Sequence, residues 1–117
     1  MNATSIILDT EFTGLHQDTT LISLALYKDE SAWFYAEFND FDASQLSPWV
    51  EQHVIRLLEF SSSTEYLSQD GQRWKIKGNR MVVKQAMAEW LSSFSLVEIW
   101  ADVLAYDWVL FCELFGG

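Results

Sequence analysis

The chain has 117 residues, half of them hydrophobic, with 17 acidic against 7 basic residues and a net charge of −10. That is enough for one packed core and too little for two, and so acidic a balance excludes a surface uniformly dressed for phosphate backbones. No stretch approaches the ~18 uninterrupted apolar residues of a membrane span, no basic start or cleavage signal opens the chain, and the one cysteine, Cys112, has no internal disulfide partner; these features point to a cytoplasmic protein in which Cys112 packs.

In chain order, residues 3–10 read as a central strand, apolar at Ile6, Ile7 and Leu8 and buried on both faces. This run ends in Asp9-Thr10-Glu11. Side chains two apart in a strand share a face, so the two carboxylates stand close to one another. At ~6 Å and an effective dielectric of ~20 their repulsion is roughly 3 kcal/mol, which raises one pKa or recruits a divalent cation. Oxygen donors suit Mg²⁺ or Mn²⁺, and a pair of such ions is the usual machinery of phosphodiester hydrolysis. The plainer reading is a polar strand end, with Asp9 turning the chain ahead of a loop at Thr13-Gly14.

Residues 20–27 and 32–38 read as two further strands, joined by the polar turn Lys28-Asp29-Glu30-Ser31 into a hairpin. Ser47-Pro48 is a helix start, Ser as cap and Pro at the first helical position, for a helix running to about Leu58. Residues 59–79 are the least patterned part and read as a variable loop or small hairpin inserted in the single domain, residues 1–117. From Arg80 onward, Val83, Ala86, Met87, Trp90, Leu91 and Phe94 recur at helical spacing and give one apolar, core-facing side. An apolar strand over residues 96–101 follows, then a helix beginning near Ala105, with Asp107 in its first turn. There an acid suits the helix dipole, so Asp107 by itself is explained as a first-turn charge or a cap; Asp102, five residues before it, is a candidate to assist at a metal site, with a local hydrogen-bond acceptor as its plainer reading.

Five of the seven basic residues, Arg73, Lys75, Lys77, Arg80 and Lys84, fall in a window without an acid. Trp74 beside the Lys75-Ile76-Lys77 alternation forms a candidate basic ribbon with a stacking surface, so Trp74, Lys75 and Lys77 are candidates for contact with single-stranded nucleic acid. A solvated hairpin arm with ordinary surface lysines is the plainer account.

Two segments carry a family resemblance. Asp9-Thr10-Glu11-Phe12-Thr13-Gly14-Leu15 is similar to the first motif of the 3'-to-5' exonucleases that place four acidic metal ligands on a ribonuclease-H-like sheet, the group that includes oligoribonuclease, ribonuclease T and polymerase proofreading domains. Tyr106-Asp107 resembles their second motif. Leu21-Ile22-Ser23-Leu24-Ala25-Leu26, Ser47-Pro48-Trp49-Val50 with His53-Val54, and Cys112-Glu113-Leu114-Phe115-Gly116 are similar to the small bacterial and phage exoribonuclease-like branch. The likeness covers most of the chain outside residues 59–79.

The resemblance implies an α/β fold, with a ribonuclease-H-like mixed sheet of three antiparallel strands plus a parallel fourth and flanking helices. It implies hydrolysis at the 3' end of single-stranded RNA or DNA with two Mg²⁺ or Mn²⁺ ions. Asp9 would bridge the ions, Glu11 would bind the one that activates water, and Asp107 would hold the one at the leaving oxygen. Phe12, Thr13, Gly14 and Leu15 would floor the terminal nucleotide pocket. The family's third motif, a His or Tyr ahead of a fourth acid, belongs some 40 or more residues beyond the second, as the resemblance has it, and His16 and His53 lie far upstream of that place. The expectation is therefore a domain truncated at its C-terminus, or one that has lost turnover and only binds metal or nucleic acid. An incomplete core would expose Trp108, Phe111 and Phe115, an apolar surface suited to homodimerisation. A third reading makes the acidic surface a site for a basic protein partner.

Overall fold

Alternation of apolar and polar residues dictates the first three strands, and all three form. The computed structural model describes residues 3–12, 21–45 and 66–101. β1 (Thr4–Phe12) pairs antiparallel with β2 (Leu21–Asp29), which pairs antiparallel with β3 (Ala32–Phe38). The β2–β3 turn is fixed by Asp29, whose carboxylate accepts from the Ser31 amide (2.8 Å) and hydroxyl (2.6 Å). Those two bonds hold the Asp29 carboxyl below the ordinary carboxylate range.

The region expected as an insertion is part of the sheet. β4 (Tyr66–Asp70) and β5 (Gln72–Gly78) form a hairpin, and β5 lies parallel to β3 with Tyr35 opposite Lys75. Asp70 pairs with Arg73 across a two-residue loop in which Gly71 takes φ 59° while no non-glycine residue described has positive φ. That is the pattern of a type II′ turn, which matches the twist of the strands it joins and needs glycine at its first central position. The chain continues into α1 (Arg80–Ser92), where the Asn79 side chain caps the first turn by accepting from the Val82 amide at 3.0 Å. β6 (Val97–Ala101) then pairs parallel with β1, so the order is β4-β5-β3-β2-β1-β6. The expected core of three antiparallel strands plus a parallel fourth is present, as a ribonuclease-H-like sheet, with the β4–β5 hairpin adding two strands at one edge.

Period two decides which side chains are core. The even-numbered residues of β1 to β3, Ile6, Leu8, Leu24, Leu26, Phe34, Ala36 and Phe38, are buried together with Ile76 of β5. α1 covers this face with Val83, Met87 and Trp90. Trp90 is the centre of it: its ring lies 6.0 Å from Phe34 and 5.0 Å edge-on to Phe94, and its Nε1 donates to the Gln72 carbonyl at 2.8 Å. Gly78 is where β5 yields to α1, and a Cβ there would meet the Val82 Cγ1 at 2.9 Å.

One expectation is corrected. β1 is not buried on both faces, because Ile7 is 51% exposed while Ile6 and Leu8 are fully buried. Ile7 pairs with Tyr27 on one side and Trp100 on the other, also exposed, so an apolar row crosses the second face of the sheet. The helices expected over residues 47–58 and from Ala105, with Trp108, Phe111, Cys112 and Phe115, lie outside the described residues. Among the described residues no helix is long and apolar enough to cross a membrane.

The packing makes Trp90→Ala costly, by about 3–5 kcal/mol in urea unfolding. Met81→Ala, on the exposed side of the same helix, is expected to stay within ~0.5 kcal/mol. Similar losses in the two variants would contradict the assignment of the core face.

Candidate functional site

β1 carries the first two candidate acids. Asp9 and Glu11 are both exposed and both odd-numbered in a strand whose even residues are core, so they project from the same face, ~7 Å apart along the strand. The buried partner positions Ile6, Leu8 and Thr10 fix that orientation, since a slip of one residue would turn both carboxylates into the apolar core. Register is further held on both sides: Asp9 stands opposite Ala25 of β2, and Leu8 opposite Ala101 of β6.

Asp107, Thr13, Gly14 and Leu15 lie outside the described residues, and of Phe12 only its place at the end of β1 is described. β6 nonetheless ends next to the acids. Ala101 is level with Leu8, and Asp107 follows six residues later, within a reach of at most ~20 Å for an extended chain.

The basic window divides in three. Trp74 projects to the α1 face, half-buried against the core, with its Nε1 donating to the Gly71 carbonyl at 2.9 Å. It does not share a face with Lys75 and Lys77. Lys77 is buried and its Nζ lies 3.6 Å from Glu37, itself fully buried, while the Tyr35 hydroxyl donates to the other Glu37 oxygen. Arg80 binds Asp40 at the helix start, through its side chain at 3.4 Å and its amide at 3.0 Å. Arg73, exposed, and Lys75, half-buried, remain on the face that bears Asp9 and Glu11, and the Lys75 ammonium stands 5.8 Å from the centre of the Trp33 ring.

The Glu37, Lys77 and Tyr35 group is a feature that sequence reasoning missed. Glu11, Ser23, Glu37 and Lys77 are register partners in one row across β1, β2, β3 and β5. Alternation within residues 32–38 would have put Trp33, Tyr35 and Glu37 opposite the apolar set. What the sequence does not carry is the pairing of β3 with β5, which supplies Lys77.

These side chains test the fit of a metal. Asp9 and Glu11 are hard oxygen donors suited to Mg²⁺ or Mn²⁺, but among the described residues no group of three or more His, Cys, Asp or Glu forms a cluster. The described part therefore supplies two donors of a site that requires more.

Fold and site together define an α/β protein with a ribonuclease-H-like sheet and an acidic pair on β1, which is paired on both sides. Two curated proteins named 3'-5' exoribonuclease, from the CDC 1551 and H37Rv strains of Mycobacterium tuberculosis, are each 30% identical to the chain over 110 residues. The match covers 92% of this chain and 59% of each relative, so the chain spans less than two thirds of their length. The chain is thus similar to proteins named 3'-5' exoribonuclease, in agreement with the resemblance of residues 9–15. No protein-family profile matches it.

The buried pair yields a stability prediction. Lys77→Met leaves Glu37 without its cation and is expected to cost about 3–5 kcal/mol. Adding Glu37→Gln, which keeps an acceptor for the Tyr35 hydroxyl, should recover most of that loss in chemical denaturation. Strictly additive losses would show that the two residues do not act as a pair.

Proposed function

We propose that the chain is the acidic-pair portion of a metal-dependent 3'-5' exonuclease that hydrolyses phosphodiester bonds at the 3' end of a single strand. The observation that carries this reading is the common, exposed face of Asp9 and Glu11 on β1, a strand paired on both sides, supported by the exoribonuclease names of the two relatives.

In this reading Asp9 and Glu11 hold Mg²⁺ or Mn²⁺, with Asp107 as the third carboxylate. The length of chain between Ala101 and Asp107 is compatible with its arrival beside them. When bound, such ions supply Lewis-acid charge at the phosphate and lower the pKa of a water for attack. The protein's part is positional. β1, paired on both sides, keeps the two carboxylates in one direction, and the buried positions that alternate with them, Leu8 and Thr10, prevent rotation of the strand. Residues 12–15 follow Glu11 directly and serve the terminal nucleotide, with the backbone near Gly14 approaching the sugar. The acidic pair repels phosphate until cations neutralise it, so substrate binding depends on metal even before any bond breaks.

The test is release of label from a 3'-labelled single-stranded RNA, with DNA alongside, in Mn²⁺ and in EDTA. Asp9→Asn and Glu11→Gln should each lower the rate by more than about a hundredfold, since even removal of groups that merely orient metal ligands costs ~10–100-fold. EDTA should abolish turnover. Metal-dependent hydrolysis that persists in both variants would exclude the assignment. Metal-dependent RNA binding without turnover would instead assign the chain to the binding module that lacks hydrolysis.

A further inference from the structure

The second face of the sheet changes character from one edge to the other. Asp9, Ala25, Tyr35 and Lys75 are register partners on four adjacent strands, and Tyr27, Trp33 and Arg73 are partners in the next row. The face thus runs from carboxylates on β1, through aromatic rings on β2 and β3, to the cations of β5, with Ser68 and Asp70 of the edge strand β4 beside Lys75 and Arg73. Three inter-strand steps separate Asp9 from Lys75, roughly 14–15 Å between Cα atoms, a distance that a few nucleotides of single strand span. Tyr27 is 43% exposed, Trp33 is half-buried beneath the Lys75 ammonium, and Arg73 is exposed.

We propose that this face is the track for the single strand upstream of the hydrolysed end. The bases lie against Tyr27 and Trp33, and the backbone phosphates are met by Lys75 and Arg73. The inference rests on the exonuclease reading for the position of the 3' end and adds where the rest of the strand goes. Charge complementarity selects the occupant. Lys75 stands three strands from Asp9 in the same row, Arg73 is its neighbour one row along with Asp70 of the edge strand beside it, and the rings between β1 and β5 offer faces that any base can stack on. An acidic protein segment would also meet the cations but would have no use for the carboxylates at the other end of the same row. Lys77 is not part of the track, because Glu37 holds it in the buried pair.

The experiment compares binding of a dinucleotide and a heptanucleotide of RNA, in Ca²⁺ to suppress hydrolysis, by the wild-type chain and by Arg73→Gln/Lys75→Gln. Unfolding midpoints confirm that the variant folds. The track predicts that heptanucleotide affinity falls about tenfold or more and that the dependence of log K on log salt loses a slope of about 1.4, ~0.7 for each single-strand phosphate contact. Dinucleotide affinity should stay within twofold. Unchanged heptanucleotide binding, or an equal fall for both lengths, overturns the track while Asp9-dependent hydrolysis leaves the exonuclease reading standing. Absence of RNA binding at either length by the wild-type chain overturns both. A monomer–dimer equilibrium in sedimentation that shifts in the variant, with RNA binding unaltered, would assign the face to a second copy of the chain and also overturn the proposal.

Discussion

Everything at the candidate site depends on how β1 is held. It lies between β2, antiparallel, and β6, parallel, with Leu8 opposite both Leu26 and Ala101. Its even residues are committed to a core that α1 closes from one side, and burying a side chain such as Leu8 contributes about 1.5–3 kcal/mol relative to leaving it exposed. Turning the strand over would forfeit that contribution at Ile6 and Leu8 and bury Asp9 and Glu11 unpaired. The carboxylates are thus displayed as a consequence of the packing beneath them, and their mutual repulsion, roughly 2.4 kcal/mol at ~7 Å separation and an effective dielectric of ~20, is set against a larger total.

The same alternation organises the remainder of the sheet. On β3 it buries Phe34 and Phe38 under α1 and turns Trp33, Tyr35 and Glu37 to the side of the acids. Glu37 is not exposed alongside Asp9 and Glu11, since it is buried with Lys77 and Tyr35 at its two oxygens. On β5 it separates Trp74 and Ile76, which belong to the core side, from Arg73, Lys75 and Lys77. Of the window's five basic residues, Lys77 enters a buried ion pair, Arg80 a helix-start ion pair, Arg73 and Lys75 stand on the face of the acids, and Lys84 lies on α1.

The sequence was legible where local pattern suffices. The apolar run before Asp9, the hairpin around Asp29 and Ser31, and the helical spacing of Val83, Met87 and Trp90 each announce an element by its own period, and all three are found. The acidic pair was legible for the same reason, since two-residue spacing in a strand needs no tertiary information. What was not legible came from pairing between distant segments. Nothing near residues 66–78 says that β5 will lie beside β3, so the hairpin read as an insertion and Lys77 as a surface lysine, although Gly71 is itself a turn signal. Ile7 read as core because three apolar residues in a row resemble a strand buried on both faces, whereas it joins Tyr27 and Trp100 on the open side. Asp107 and residues 13–15 lie outside the described residues, and their roles rest on the motifs.

The central claim is that Asp9 and Glu11 act together as cation ligands, and Mn²⁺ binding to the purified chain, followed by electron paramagnetic resonance of the free ion, tests it most directly. Saturable binding that weakens by at least about tenfold in both Asp9→Asn and Glu11→Gln, and that survives in Glu37→Gln, is the predicted result. Equal Mn²⁺ affinity in the wild-type chain and the two β1 variants would contradict the account and return the acidic pair to the role of a polar strand end.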